Sequence, residues 1–296
     1  MAITSLSILI PTFNDLCVNL VERLRLQAEE SGIAYEILVA DDGSTNEDAI
    51  RKNSQINQWT NCHHLRQEGN IGRAAIRNFL AKEARHEWLL FIDSDMNIVR
   101  PGYIAKYLSL DGADVVDGGV SIRGDAEVLK DNLRYLYEKS AEHEHTAEKR
   151  QLNPYRDFHT ANFLIRRDIM LAHPFDERFR HYGYEDVIFG KQLRAAHIAI
   201  THIDNPMGFC TFESNPDFVT KTEEGLHTLH QFRNDLKGYS RLLTFIDGIH
   251  IPLVLSIIRL FYYLFGGIIR RNICGTHPSL RLFNLYKLGY FLKVDK

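Results

Sequence analysis

The run Trp88-Leu89-Leu90-Phe91-Ile92-Asp93-Ser94-Asp95 sets the architecture. Five consecutive apolar residues suit a strand buried on both faces, as in a parallel sheet covered by helices. Two carboxylates, one residue apart, follow at its carboxyl end. Upstream, Gly72 to Arg85 places Ile76, Leu80 and Ala84 on one helical face, and His63 to Leu65 reads as a short strand. Tyr35 to Ala40 is a further strand, stopped by Asp41-Asp42-Gly43-Ser44. Before it, Leu16, Leu20, Leu24 and Ala28 recur every fourth residue, as on an amphipathic helix ending near Gly32. Ser5 to Ile10 is the first strand, closed by Pro11. Strands alternating with helices predict an α/β fold with a mostly parallel sheet, whose ligands gather at the carboxyl ends of strands. Downstream, one strand is expected over 115–122, a helix over 128–150, a strand over 158–166 and a helix over 186–196.

Three polar clusters fall at those carboxyl ends. Asp93-Ser94-Asp95 offers hard oxygen ligands to Mg²⁺ or Mn²⁺, which also hold phosphates, although Asp and Ser equally make plain turns. Asp41-Asp42-Gly43-Ser44 presents carboxylates to a ribose hydroxyl or a base N–H, or is a simple Asp-Gly turn opening a helix. Asn70-Ile71-Gly72 leads into a helix whose first N–H groups, with Arg73 or Arg77, suit an anionic ligand; a capped surface helix with solvated arginines is the plainer reading. Further on, Tyr182-Gly183-Tyr184-Glu185-Asp186 opens a helix whose dipole favours acids, and it also supplies a candidate general base beside tyrosines suited to stacking on a sugar ring.

Taken together, Ser7-Ile8-Leu9-Ile10-Pro11-Thr12-Phe13-Asn14, Asp41 to Ser44, Asn70 to Asn78, Asp93 to Asp95 and Glu185-Asp186 resemble glycosyltransferase family 2, over about residues 5–235. The resemblance implies a GT-A fold, a Rossmann-like sheet flanked by helices, and inverting transfer from a nucleotide-sugar, often a UDP-sugar, to an acceptor hydroxyl with a divalent metal, Mn²⁺ or Mg²⁺. By position, Pro11, Thr12 and Asp42 line the nucleotide site, Asp41 supports that loop, and Asn70, Gly72 and Arg77 border the base and diphosphate. Asp93 lies near the ribose and beside the metal, Asp95 binds the metal, Asp186 is the base and Glu185 contacts a sugar.

Two departures stand out. Similar chains often carry a metal-binding His a few residues after an Asn-Pro pair, where this one has Asn205-Pro206-Met207-Gly208-Phe209. His202, upstream, is the nearest substitute. Ala161-Asn162-Phe163 stands where Gly-Asn-Phe is usual, which narrows or re-aims the acceptor side. His143-Glu144-His145 alternates in a way that points its side chains apart on a helix, and His63-His64 suits a strand with one exposed face.

The chain has 296 residues and a net charge of −3, too small to indicate nucleic acid as a partner. From Lys237 onward, however, nine Lys or Arg face two acids, a balance of +7 that leaves −10 on the rest. This divides the chain into a catalytic domain over 1–236 and a basic apolar tail over 237–296. Residues 251–269 carry one charge, Arg259, and approach the length of a membrane span. Pro252, Arg259 and Gly266-Gly267 argue instead for a helix in the interface, with Ser256, Arg259, Tyr263 and Gly266 as a polar stripe near anionic head groups. A second apolar segment covers 279–294. The tail predicts a membrane-surface partner through residues 250–294, and packing on the catalytic domain or on a second copy is the competing reading. Four scattered cysteines and the lack of a basic leader fit a cytoplasmic protein, peripheral on the inner face of a membrane. The acceptor is a carbohydrate or a lipid-linked one, and cell-surface polysaccharide or glycolipid synthesis is the expected setting. A sugar nucleotidyltransferase or a dinucleotide oxidoreductase requires a Gly-rich loop after the first strand, and Pro11 to Asp15 contains none. A catalytically inactive sugar-nucleotide-binding or scaffold protein is the non-enzymatic alternative.

Overall fold

A computed structural model describes residues 3–295. In chain order the elements are β1 (Ser5–Thr12), α1 (Val18–Ser31), β2 (Ala34–Asp41), α2 (Glu47–Asn53), β3 (Cys62–Arg66), α3 (Arg73–Glu83) and β4 (Trp88–Ile92). There follow β5 (Met96–Ile98), α4 (Tyr103–Leu108), β6 (Val115–Asp117), β7 (Val120–Ile122), α5 (Leu133–Ala141), α6 (Ala147–Gln151), β8 (Asn162–Arg166) and α7 (Arg167–Ala172). The chain closes with α8 (Glu185–Ala195), β9 (Ile200–His202), β10 (Met207–Phe209), α9 (Asn215–Gln231), α10 (Arg233–Leu236), α11 (Arg241–Asp247), α12 (Pro252–Ile273) and α13 (Leu280–Val294).

These elements pack as two compact units. The first comprises residues 1–123, 144–180 and 189–210, and the second 124–143, 181–188 and 211–296. Packing thus draws residues 124–143 and 181–188 out of the first 236 residues and groups them with the tail.

The first unit is built on the large sheet. Its strand order is β3-β2-β1-β4-β8-β6-β9, with β8 antiparallel to both neighbours and every other pairing parallel. The parallel strands β1, β2 and β4 are apolar runs with almost no exposed residue, because helices cover both sheet faces. On one face Leu9, Leu38, Ala74, Ile76, Leu80, Phe91, Phe163 and Phe189 share a core. Burial of each large side chain there contributes ~1.5–3 kcal/mol. Phe91 and Phe163 stack at 4.8 Å across the β4–β8 pairing.

Two expectations are corrected. The single strand over 115–122 is two, β6 in the large sheet and β7 in a small sheet ordered β5-β10-β7. The break is at Gly118-Gly119. A Cβ on Gly118 would lie 2.2 Å from the Tyr107 hydroxyl, and Gly119 takes φ +83, where its N–H donates to Asp117 Oδ1 at 2.7 Å. The helix over 128–150 is likewise α5 and α6, separated by a short turn. Asn132 caps α5 by accepting from the Tyr135 N–H, and Thr146 caps α6 by accepting from the Lys149 N–H. Such side chains satisfy the exposed donors of a new helix start and so favour interruption over continuation.

In the second unit, α12 and α13 pack against α5 and α9 through Leu133, Phe218, Val219, Ile269, Ile273, Phe283 and Tyr286. Glu223 of α9 accepts from Tyr286 Oη at 2.6 Å and from Arg270 Nε at 2.9 Å. Asp295 accepts from Arg233 and pairs with His230 Nδ1 at 3.0 Å. The second apolar segment is therefore a helix, as its periodicity implied, with Phe283, Tyr286, Gly289, Phe291 and Leu292 buried. The expected polar stripe on α12 forms only in part, with Ser256 and Tyr263 exposed and the other two members turned inward. Arg259 points inward and donates to the Leu292 carbonyl at 3.1 Å, Gly266 is buried under Tyr262, and Ser256 bonds back to its own helix at Pro252. A carbonyl near the end of α13 is a better partner for the guanidinium than a position on the outer apolar face.

Candidate active site

The first unit builds its site from the carboxyl ends of β1, β2 and β4. Strand β1 ends in Pro11 and the buried Thr12, whose carbonyl accepts from the Asp42 N–H at 2.9 Å. Asn14 sits in the left-handed region at φ 55, and its Oδ1 accepts from both the Thr45 and Asn46 N–H groups at 2.8 Å. Its own N–H donates to Ser44 Oγ at 2.7 Å, so the loops after β1 and β2 are tied into one surface. Asp41, buried at the end of β2, accepts from the Ser44 N–H at 2.8 Å and closes that turn.

Asp42 binds a second loop. Its Oδ1 accepts from the Ile71 N–H at 2.8 Å and its Oδ2 from the Gly72 N–H at 3.1 Å. Burial raises the Asp42 carboxyl, the two N–H donors pull it down, and the neighbouring Asp41 charge raises it again; the net direction is upward. Gly43 allows the approach. At φ +73, a Cβ there would stand 2.5 Å from the Gly69 carbonyl carbon and 2.7 Å from the Asn70 nitrogen. Asn70 itself is exposed, and Gly72, at φ +95, opens α3 beneath the backbone of Arg180.

Helix α3 then aims Arg77 at the end of β4. Arg77 Nη2 donates to Asp93 Oδ1 at 2.6 Å, with the Arg77 side chain 3% exposed. Asp93 also receives support along the chain, its N–H donating to the Ala161 carbonyl at 3.1 Å. Residue 161 therefore touches the carboxylate turn directly. Asp95 is half-buried two residues on, just before β5. Thr12, Asp41, Asp42, Gly72, Arg77 and Asp93 are thus brought together at one edge of the sheet by bonds between separate loops, with Pro11, Asn70 and Asp95 adjoining in sequence.

The metal-binding fit is partial in a way the chemistry allows. Among the described residues, no three His, Cys, Asp or Glu side chains gather in a ready-made cation site. Two carboxylates one residue apart still suit a hard cation that takes the rest of its shell from a diphosphate and water. Phe209 is 3% exposed in β10, so its position offers no ligand. His202 does not substitute. Its Nε2 meets the Pro154 carbonyl at 2.9 Å and its Nδ1 receives Arg150 Nε at 3.1 Å, which fixes a neutral tautomer with both nitrogens engaged. Asp117 lies 3.5 Å from the same Nδ1. This buried Asp117–Arg150–His202 group escaped sequence reading, because its members come from three separate segments.

Another buried group surrounds Asn162, the middle residue of the Ala161-Asn162-Phe163 motif. Its Oδ1 accepts from Tyr103 Oη at 2.5 Å and Tyr107 Oη at 2.7 Å, and its Nδ2 donates to the Gly119 and Asn205 carbonyls at 2.8 and 2.9 Å. His143-Glu144-His145 forms no metal cluster; His145 instead packs edge-on against His159 at 5.4 Å. His63 is exposed and His64 half-buried, as the strand reading required.

Glu185 and Asp186 belong to the second unit, in the first turn of α8. Glu185 is 6% exposed, while Asp186 is half-buried and its Oδ1 accepts from the Val187 N–H at 2.7 Å. The segment before them is strained. Gly183 takes φ +98, and Tyr184 takes φ 71, a left-handed conformation that costs a non-glycine residue on the order of 1 kcal/mol or more. Helix α9 holds it in place. Glu224 accepts from the Tyr182 N–H at 3.2 Å, Thr228 Oγ1 donates to the Tyr182 carbonyl at 3.0 Å, and Lys221 Nζ lies 4.8 Å from the Tyr182 ring centre. Tyr184 is half-buried, and desolvation pushes its phenol well above the usual range against the opposing pull of Ser240.

Residues 7–172, more than half of the chain, match the model of the family described as Glycosyl transferase family 2. The chain belongs to that family. As a family 2 glycosyltransferase it is 25% identical over 244 residues to a chondroitin synthase of Escherichia coli, covering 70% of this chain and 34% of that protein. It is 26% identical over 285 residues to a chondroitin synthase of Pasteurella multocida (strain Pm70), covering 84% and 29%. The chain thus spans about a third of the length of these curated relatives. Among solved structures, TarS 1–349 of S. aureus matches with a TM-score of 0.52 at 18% identity, over 98% of this chain and 90% of that one. The mannosyltransferase PcManGT from Pyrobaculum calidifontis, solved with GDP-Man and Mn²⁺, matches with a TM-score of 0.54 at 12% identity, over 100% and 86%. These likenesses establish the GT-A fold.

Proposed function

We propose that this chain transfers a sugar, with inversion, from a nucleotide-sugar, most naturally a UDP-sugar, to an acceptor hydroxyl in the synthesis of a surface polysaccharide or glycolipid. The supporting observation is the linkage of Asp42 to the Ile71 and Gly72 N–H groups and of Arg77 to Asp93, which gathers carboxylates, a guanidinium and loop amides at one sheet edge. Pro11, Thr12 and Asp42 hold the nucleoside, with Asp41 shaping their loop. Asn70, Gly72 and Arg77 border the base and diphosphate, and Asp93 approaches the ribose. Asp95, with Asp93, would hold a divalent cation, Mn²⁺ or Mg²⁺, which when bound offsets the charge on the departing diphosphate.

Asp186 takes the proton from the acceptor hydroxyl as that oxygen bonds to the anomeric carbon. The nucleoside diphosphate leaves with the electron pair of the broken C–O bond. Glu185 contacts a sugar. The names of the relatives support a carbohydrate acceptor, and the basic apolar tail supports work at the cytoplasmic face of a membrane, through residues 250–294, with the catalytic region over 1–236. The test is a panel of nucleotide-sugars with and without Mn²⁺, read by thermal stabilisation and then by donor hydrolysis. A donor that raises the melting point and turns over supports the reading; binding without turnover under any condition favours the inactive scaffold.

A further inference from the structure

Among the described residues, no element covers the outer face of α12. Leu253, Ile257, Leu260, Leu264 and Ile268 are 57–67% exposed at helical spacing, with Val254, Phe261 and Phe265 beside them. The opposite face, through Arg259, Gly266, Ile269 and Ile273, packs on α13 and the core of the second unit. Such a continuous exposed apolar face exceeds what soluble surfaces ordinarily carry. The helix is long and apolar enough to cross a bilayer. Its packing argues against crossing. Residues 259, 270, 281, 287 and 293 are basic, α13 lies along α12, and Arg281, Asn284 and Lys293 of α13 are exposed. A crossing helix would drag those groups into hydrocarbon or tear the Arg259–Leu292 and Arg270–Glu223 bonds.

Charge identifies the occupant. From Gly248 to Val294 there is no Asp or Glu, and Arg271, Arg281 and Lys293 are exposed. Asp247 and Asp295, which would oppose them, are both bound to Arg233. An apolar face with uncompensated cations beside it fits an anionic lipid surface better than a second copy, whose identical face would bring like charges together. The same unit carries the segment assigned to the acceptor. On α9, Glu223 holds Arg270 and Tyr286, and its neighbour Glu224 holds the Tyr182 amide.

We infer that α12 lies in the plane of an anionic lipid surface with only its outer face in the bilayer, that α13 is its internal bolt and enters no hydrocarbon itself, and that α9 thereby fixes the Tyr182–Asp186 segment at that surface, where a lipid-linked acceptor is presented. The link to the acceptor rests on the sugar-transfer reading; the lipid contact does not.

The experiment uses the purified full chain and phosphatidylcholine vesicles with and without phosphatidylglycerol. The protein floats with the anionic vesicles at least tenfold more than with neutral ones, and alkaline carbonate releases it. Leu260→Glu with Leu264→Glu abolishes flotation while circular dichroism, melting point and donor hydrolysis stay unchanged. Glu223→Gln keeps flotation but loses the stimulation that anionic vesicles give to transfer onto a lipid-linked sugar. Resistance to carbonate would show a spanning helix and overturn the inference, as would unaltered flotation of the double variant. A lipid-indifferent dimer broken by the same substitutions would assign the face to a second copy. A protein that floats yet hydrolyses no donor leaves the lipid contact standing and defeats only the sugar-transfer reading.

Discussion

Arg77 Nη2 and Asp93 Oδ1 stand 2.6 Å apart, and this bond joins helix α3 to the end of strand β4. The guanidinium is 3% exposed and the carboxylate 23%. Removing one partner leaves a largely desolvated charge behind, and the cost follows from that rather than from the strength of the pair. Arg77→Ala is expected to destabilise the protein by ~2–3 kcal/mol, and Asp93→Asn by less. In urea unfolding, the double variant should cost less than the two single losses added together. Additive losses would show that the pair is not coupled.

Asp186→Asn removes the proposed proton acceptor without altering volume. Transfer should fall by a factor of at least ~10³ while donor affinity stays within a few fold. Isothermal titration with the donor and an initial-rate assay separate the two. If donor binding collapses instead, Asp186 is a donor ligand and the base lies elsewhere.

Asp95→Asn should leave the unfolding free energy of the unliganded protein within ~0.5 kcal/mol of the parent, since the residue is half-buried at a turn. The extra thermal stabilisation that Mn²⁺ gives to nucleotide binding should disappear, and chelation of the parent should reproduce the variant. Equal Mn²⁺ stabilisation in both proteins would remove Asp95 from the cation's shell.

His202 is held neutral. Burial lowers its basicity; the Asp117 charge and the Pro154 bond raise it, Arg150 opposes them, and the net direction is downward. The unfolded chain therefore takes up a proton below about pH 6.5 that the folded chain refuses. Stability from this residue is complete above that pH and is lost as pH falls toward the depressed folded value, by at most ~1.4 kcal/mol per pH unit. His202→Gln should flatten the slope of unfolding free energy between pH 7 and the acid limb. An unchanged slope would mean that the ring titrates normally.

What was legible in the sequence was what local pattern encodes. The apolar run before Asp93 suited a buried strand, and Asp41 to Ser44 read as a strand end with a turn or a ligand-binding carboxylate pair, so the sheet and its polar edge followed from spacing. The break at Gly118-Gly119 was hidden because the constraint comes from Tyr107 and Arg150, which approach from elsewhere in the chain. Arg259 misled for the same reason. Its spacing on the helix suggested an outward stripe, but the Leu292 carbonyl 33 residues later draws it inward. Asn14 is an intermediate case. Asn14 appeared only within the motif after the first strand, and nothing there shows that its Oδ1 takes two amides from the β2–α2 loop.

Asn162 brings that lesson to a measurable end. Its amide uses both acceptor lone pairs and both donors on Tyr103, Tyr107, Gly119 and Asn205, all inside the fold. Asn162→Ala would take partners from two phenol hydroxyls and the Asn205 carbonyl, while the Gly119 carbonyl keeps the Met207 N–H, each buried group left unpaired costing ~1–3 kcal/mol unless water enters. The loss should exceed that of an ordinary core truncation. Asn162→Asp keeps the shape but places a carboxylate against the Gly119 and Asn205 carbonyls, so it folds best when protonated. The Asp variant should therefore be more stable at low pH than at neutral pH, opposite in slope to the parent. Since residue 161 receives the Asp93 amide next door, its donor affinity should weaken along with its stability as pH rises. An Asp variant whose stability tracks the parent at every pH would show that the site is hydrated rather than sealed.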